Sequence, residues 1–265
     1  MKPETVSLLC RPGTHEPLHL ASVEEADGRL QEVLVCVHSG ERFPVRDGIP
    51  LMLDETKVSG FNKRYQGLYN RIAGVYDVAI NLFARMAGGG EEHFRRQYLQ
   101  ELEVQEGGRV LEVSIGTGAN LRYFTTNVNY FGLDISWGML KRCQKNLKQW
   151  QREAELILGN AEELPLFDEA FDTVLHVGGI NAFNDPAKAI GEMIRVARAG
   201  SKIVIVDETA KMMESIAWMP SVRRWLQEHG ERFSAPIGLV PEGMKDVHAR
   251  NFAKGNMYCL TFRKP

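Results

Sequence analysis

From Arg109 onward the chain alternates between two hydrophobic regimes. Short β-rich apolar runs fall at 110–113, 130–133, 156–158, 173–177 and 203–206, and stretches of helical spacing lie near 119–125, 136–150 and 186–198. That alternation predicts an α/β fold, a mostly parallel sheet with helices on both faces. The pattern then changes. Residues 247–252 and 257–262 are extended runs joined by Ala253-Lys254-Gly255-Asn256, so the sheet is expected to end in an antiparallel hairpin. Upstream, 55–106 reads as a helical lid and linker segment. Tyr69, Ile72, Ala73, Tyr76, Ala79, Ile80 and Phe83 recur at helical spacing until Gly88-Gly89-Gly90 interrupts them. A second amphipathic helix is expected over 91–104, stopped by Gly107-Gly108. Residues 1–54 hold short apolar runs broken by turn residues, with a strand at 33–37 and a turn between extended pieces at 43–50. They predict a small β-rich module ahead of the main domain, which is assigned to 107–265.

Composition narrows the function. The 265 residues carry a formal charge of −2, which gives no electrostatic reason to expect a nucleic-acid partner. No apolar run approaches bilayer length, so no transmembrane segment is expected, and the N-terminus lacks the apolar stretch of a signal peptide. Cys10, Cys36, Cys143 and Cys259 are too scattered for a disulfide scaffold, and the expected compartment is the reducing cytoplasm. Nothing in the sequence fixes an oligomeric state.

The candidate chemistry sits at the first two strand ends. In Val110-Leu111-Glu112-Val113-Ser114-Ile115-Gly116-Thr117-Gly118-Ala119-Asn120-Leu121 a strand runs into a glycine-rich turn and then a helix. Such a turn lets backbone approach a ligand and presents unpaired N–H groups to it. The next strand ends at Asp134, about one strand–helix–strand step later, where a carboxylate is placed to accept from both hydroxyls of a ribose. A dinucleotide site would continue to a third glycine at position 121, and Leu121 stands there.

Together these residues resemble the class I methyltransferases that use S-adenosyl-L-methionine (SAM). Leu111 to Gly118 is similar to that family's first motif, and Gly132-Leu133-Asp134-Ile135-Ser136 with Met139-Leu140 to its acidic second. Gly159-Asn160-Ala161-Glu162-Glu163-Leu164-Pro165 with Phe171-Asp172 resembles the third and fourth, and Glu192-Met193-Ile194-Arg195-Val196 with Gly200-Ser201-Lys202 the segment before the fifth strand. Tyr69-Asn70-Arg71-Ile72-Ala73 with Tyr76-Asp77 looks like the helical segment covering SAM in the ubiquinone and menaquinone branch. The resemblance implies a Rossmann-like seven-stranded sheet and SAM as cofactor. It implies Glu112, Gly116 and Gly118 around the methionine part, Asp134 and Ile135 at the ribose and adenine, Asn160 and Ala161 at the adenine edge, and Tyr76 closing over. Two positions depart. Ser114 stands where the family usually has its first glycine, implying a wider turn or a hydroxyl that binds cofactor. Asn160 stands where Asp is common, and its carbonyl still accepts a hydrogen bond.

The sulfonium methyl of SAM is already activated, so positioning and exclusion of water supply much of the acceleration, and a base is needed only for an acceptor that keeps its proton. Acceptor-side candidates end strands four and five: His176, and Glu208 beside Asp207. The competing readings are a histidine satisfied by backbone and carboxylates that cap the next helix; His93 is a further lid candidate. Met212, Met213, Ile216, Trp218, Met219 and Trp225 make either an apolar acceptor wall or helix core. The expected reaction is methyl transfer by in-line displacement to a small, partly apolar molecule. The alternatives are a macromolecular acceptor (tRNA or protein) and a SAM-binding regulatory protein without catalysis.

At the N-terminus, Leu8-Leu9-Cys10-Arg11-Pro12 with 35–50 resembles a zinc-ribbon-like module whose relatives activate tRNA and release-factor methyltransferases. A ribbon needs a C-x₂-C pair in each knuckle, and Gly13 and Ser39 occupy the second positions. A module without metal is expected, held by burial of Ile49-Pro50-Leu51-Met52-Leu53.

Overall fold

The computed structural model describes residues 1–24, 30–77, 90–215, 217–218, 223–224, 226–227 and 230–265. Ala79, Ile80, Phe83, Gly88, Gly89, Ile216, Met219 and Trp225, named above from their spacing, lie outside the described residues. A short helix α1 (Pro3–Val6) precedes β1 (Leu18–Glu24), β2 (Leu30–Cys36), β3 (Arg42–Arg46) and β4 (Ile49–Pro50), which pair in that order as an antiparallel sheet. Asp47-Gly48 makes the tight turn between β3 and β4, both residues at positive φ. The extended pieces expected around 43–50 are these two strands, and β1 is an additional one.

The second sheet is the α/β frame the pattern predicts. Its strands are β5 (Arg109–Val113), β6 (Asn129–Asp134), β7 (Glu155–Leu158), β8 (Phe171–Val177), β9 (Ala197–Glu208), β10 (Lys245–Phe252) and β11 (Met257–Arg263). They lie in the order β10-β11-β9-β8-β5-β6-β7, parallel from β9 to β7, with β11 antiparallel to both β9 and β10. The Rossmann-like sheet ending in an antiparallel hairpin is therefore present. Strand order reverses at β5, which sits between β6 and β8, and a crevice opens beyond the strand ends at such a reversal.

Capping chemistry sets the helix limits. Helix α4 (Trp137–Trp150) starts where the Ser136 hydroxyl accepts from Met139 N, and it buries Met139, Leu140, Cys143 and Leu147 on one stripe. Helix α5 (Pro186–Val196) starts at Asp185, which accepts from Lys188 N, with Pro186 in its first turn. The chain then turns directly into β9, so 197–198, expected as helix, is strand. The stretch expected as helix at 119–125 is a single 3-10 turn, Ala119–Tyr123. In the 55–106 segment, α2 (Gly60–Ile72) ends before a turn that precedes Tyr76, and α3 (Gly90–Leu99) stops short of the expected 104. The reason is packing: beyond Leu99, Leu102 and Val104 turn inward against the Val110 and Tyr130 cluster, and the Glu103 carbonyl accepts from the Thr173 hydroxyl at 3.0 Å.

Candidate active site

The C-terminal ends of β5, β6, β7 and β8 open into a cleft whose empty space, counting its open mouth, is about 670 Å³. Several of its walls come from predicted motifs. Ser114 and Gly116 form the floor from the turn after β5, and Asp134 and Ile135 come from the end of β6. Asn160 and Ala161 follow β7; Tyr76 covers one side with Tyr65 and Tyr69 from α2. Val177, Gly178, Gly179, Ala182 and Phe183 close the side after β8.

The turn after β5 has the left-handed geometry expected of glycines, at one unexpected residue too. Ser114 has φ +62° and Gly116 φ +56°. A side chain in that region costs about 1–2 kcal/mol, so Ser114 keeps the glycine conformation of its position and bears the strain. A Cβ on Gly116 meets nothing within 4 Å, because that side of the turn faces the open cleft. Gly118 serves differently. At φ +77°, a Cβ there sits 2.6 Å from Cys143 Sγ, so its bareness lets α4 pack beneath the turn, and it is not a wall of the cleft.

Asp134 ties the first two strand ends together. It is 7% exposed; its Oδ2 accepts from Gly116 N at 2.8 Å and its Oδ1 from Ser136 N at 2.9 Å. Burial pushes its carboxyl up to about 6, and the backbone N–H groups of Ser136, Gly116 and Ile135 hold it from rising further. Asn160 turns its side-chain oxygen to Glu162 N at 3.0 Å. Helix α2 is latched over the cleft by Asn70, whose Oδ1 accepts from the Ser136 hydroxyl at 2.7 Å and from Gly138 N at 2.8 Å. Gln66 adds a bond from Nε2 to the Ile135 carbonyl at 3.2 Å.

Glu112 is placed elsewhere than the motif implies. It lies under the turn, not among the side chains of the cleft wall, with both oxygens taken by Asn120 and Tyr130 at 2.5 Å. His176 is fully buried; its Nδ1 pairs with the Val113 carbonyl at 3.0 Å, its ring lies edge-on to Phe183, and among the described residues Nε2 has no partner. Burial pushes it down to about 4, so the ring is neutral. Asp207 is committed to Asn181 N and Glu208 N, at 2.9 Å each. Burial, and then the Asp207 carboxylate beside it, push Glu208 well above the usual carboxylate range. His93 lies in α3, exposed to solvent rather than in the cleft.

Sequence reasoning missed part of the lining. Tyr65 and Asn62 stand in α2 with Tyr69, where only the aromatic spacing hinted at a shared face. Phe183 and Ala182 follow β8, past the strand-end candidate His176.

Residues 111–205 match the model of a methyltransferase domain. A phosphatidylethanolamine N-methyltransferase of Cereibacter sphaeroides is 38% identical over 107 residues, 40% of this chain and 53% of that protein. Demethylmenaquinone methyltransferases of Renibacterium salmoninarum and Lactiplantibacillus plantarum are 31% and 32% identical over 53% and 54% of this chain, and 56% and 61% of theirs. The chain thus spans little more than half the length of these relatives. Among solved structures, a SAM-dependent methyltransferase of Thermotoga maritima superposes with a TM-score of 0.58 at 19% identity, over 76% of this chain and 99% of that one. A chain from the Haloferax volcanii complex of the Trm112 methyltransferase activator with its methyltransferase gives 0.55 at 16% identity, over 74% and 97%. At these identities the likeness is one of fold. The matched segment holds every strand end that frames the cleft.

Proposed function

We propose that this methyltransferase domain holds SAM between the ends of β5 and β6 and transfers its methyl group to a small, partly apolar acceptor by in-line displacement. One observation carries the reading: Ser114, Gly116, Asp134, Ile135, Asn160 and Ala161, from three separate motifs, line a single cleft.

The residues present fit the cofactor. Asp134 offers a buried carboxylate whose bonds in this structure go to the N–H groups of Gly116 and Ser136, and ribose hydroxyls are donors of the kind it accepts. Ile135, Leu133 and Met139 provide apolar surface for a base, and Asn160 and Ala161 border it. When bound, SAM supplies a methyl group already activated by the positive sulfur. The tyrosines of α2 and Tyr76 then exclude water and confine the approaching nucleophile, which is where much of the rate enhancement arises.

On the acceptor side, Tyr65, Tyr69, Phe183 and Ala182 make the wall largely aromatic and apolar. Two relatives named for phosphatidylethanolamine and demethylmenaquinone support an acceptor with an apolar portion. Glu208, at the end of β9 beside Asp207, is assigned to orient a polar atom of the acceptor. His176 is assigned a packing role, since its ring is enclosed and neutral. No described helix is long and apolar enough to cross a membrane.

The test is calorimetry with SAM and its demethylated product, on the wild type and Asp134→Ala. Loss of the two ribose bonds at about 1–1.5 kcal/mol each predicts a Kd weakened at least about tenfold; unchanged affinity refutes the ribose assignment. Turnover of methyl-labelled SAM on a panel of quinols, phenols, amines and thiols then identifies the acceptor. Tight binding without turnover on any of them favours a regulatory protein.

A further inference from the structure

We propose that Arg95 and Glu112 are a positioning pair that sets how tightly the cofactor is held, although neither side chain lines the cleft. The inference rests on the SAM reading above and deepens it. Glu112 ends β5 beneath the glycine turn, 2% exposed. Asn120 Nδ2 donates to its Oε1 and the Tyr130 hydroxyl to its Oε2, both at 2.5 Å. Asn120 turns its other end toward α3, where Oδ1 accepts from Arg95 Nη1 at 2.7 Å and from the Tyr98 hydroxyl at 2.6 Å. An amide wired this way has one orientation: its NH₂ meets an acceptor and its carbonyl meets donors. Asn120 belongs to the 3-10 turn that leaves Gly118, so this amide fixes the course of the chain out of the cofactor loop.

The two charges address each other through that amide. Arg95 is 7% exposed and is itself held by Glu91, Nε to Oε1 at 2.9 Å. Burial opposes its charge, but Tyr98 and Glu91 more than offset this, and the guanidinium stays protonated. Ionised, Glu112 accepts from both Asn120 and Tyr130; protonated, it keeps the Asn120 bond only by making the Tyr130 hydroxyl turn round and accept from the carboxyl proton, which rewires the network. Burial pushes Glu112 up to about 7, against the bonds from Tyr130 and Asn120 and the charge of Arg95, while Asp134 on β6 adds to the rise. The remaining groups nearby are neutral: burial raises the Tyr98 hydroxyl to about 12 and holds the Cys143 thiol on α4 well above its usual range. Near neutral pH the wiring of the turn therefore depends on the cation that α3 delivers.

The experiment is SAM binding by calorimetry from about pH 6 to about pH 9, on the full chain and its Arg95→Met, Arg95→Lys and Glu112→Gln variants. Removing a nearby opposite charge raises a carboxyl by about one unit or more. Arg95→Met is expected to weaken binding about fivefold at pH 7 and to regain most of it at pH 9. Arg95→Lys keeps the wild-type profile, and Glu112→Gln binds weakly at every pH with no step near 7, leaving only the Asp134 step near 6. An Arg95→Met profile identical to wild type overturns the pair. So does a loss of the same size at every pH, which is what a merely structural residue produces. Should Arg95→Met not fold, a Glu112→Gln profile that retains the wild-type step overturns it equally. Wild-type protein that binds no SAM at any pH overturns the cofactor reading itself. An Asp134→Ala loss alongside unchanged Arg95 and Glu112 variants overturns only the pair.

Discussion

Gly132 is the residue on which the shape of the loop after β5 can be tested by sterics alone. It lies in β6 opposite Glu112 of β5, and a Cβ built there sits 2.2 Å from Ile115 Cδ1 and 3.0 Å from both its Cβ and Cγ2. The Cδ1 contact can be relieved by rotating the side chain. The Cβ contact cannot, because that atom is fixed to the backbone of the loop between Ser114 and Gly116. Gly132→Ala therefore has to push the loop outward. Overpacking of this kind costs about 1–3 kcal/mol, and at roughly 2–4 °C per kcal/mol for a chain of this size the Tm falls by about 2–12 °C. The displacement reaches Gly116 N, which Asp134 holds, so SAM affinity falls with stability. Ile115→Ala alone loses about 2–5 kcal/mol by cavity formation. Combined, the two substitutions relieve each other, with a coupling of at least about 1 kcal/mol. Thermal denaturation of the four proteins in one buffer measures the cycle. An unchanged Tm for Gly132→Ala, or strictly additive losses, refutes the steric account.

The other two predictions concern the latch and the buried histidine. Asn70→Ala removes the shared acceptor of the Ser136 hydroxyl and Gly138 N, so it costs about 1–3 kcal/mol and frees α2 from the start of α4; limited proteolysis should then cut within 60–72, and an unaltered digestion pattern with unaltered SAM affinity counts against the latch. His176 is held down to about 4 by burial, below its unfolded value near 6.5, so its contribution to stability is present above about pH 6.5 and is lost as pH falls toward 4. Nitrogen-15 shifts of its ring should report a neutral imidazole at pH 5; a midpoint near 6.5 shows a solvated ring instead.

The sequence made the frame legible because its two periodicities are clean. The β-rich runs at 110–113 and 130–133 are buried on both faces, so they stand out as apolar blocks, the first interrupted by Glu112. Glycine chemistry marked the turn, and an acidic residue at a strand end marked the second wall. What stayed hidden depends on long-range contacts. Glu112 reads from its motif as a cofactor group, yet Tyr130 and Arg95, which are decisive for it, lie on other elements and carry no local signal. Helix lengths failed for a related reason: Leu102 and Val104 keep a helical spacing, but the core draws them in as a turn. In Ser114 the sequence departs from glycine while the backbone does not, and sequence alone left open a wider turn.

The N-terminal sheet bears on the cleft through main chain. Met52 N donates to the Leu158 carbonyl at 2.8 Å and Leu51 bridges Leu158 in parallel, so the residues after β4 extend the large sheet beyond its edge strand β7. On the other side, Cys10 N donates to the Pro165 carbonyl and Phe167 N to the Leu8 carbonyl, at 3.1 Å each. Both ends of the segment from Leu158 to Phe167 are thereby gripped, and Asn160 and Ala161 of the cleft wall lie between them. Side chains follow the same path: Leu9, Leu34, Phe43 and Met52 share one core with Leu133, Ile157, Leu164 and Leu166. Cys36 Sγ meets Glu16 Oε2 at 2.9 Å, and Cys10 is buried, its main chain bridging Pro17 in antiparallel fashion. Covering a sheet edge removes a row of unpaired backbone groups. Here the same bonds hold the Asn160 and Ala161 side of the cleft in register, so the β-rich module and that wall are one structural unit rather than neighbours.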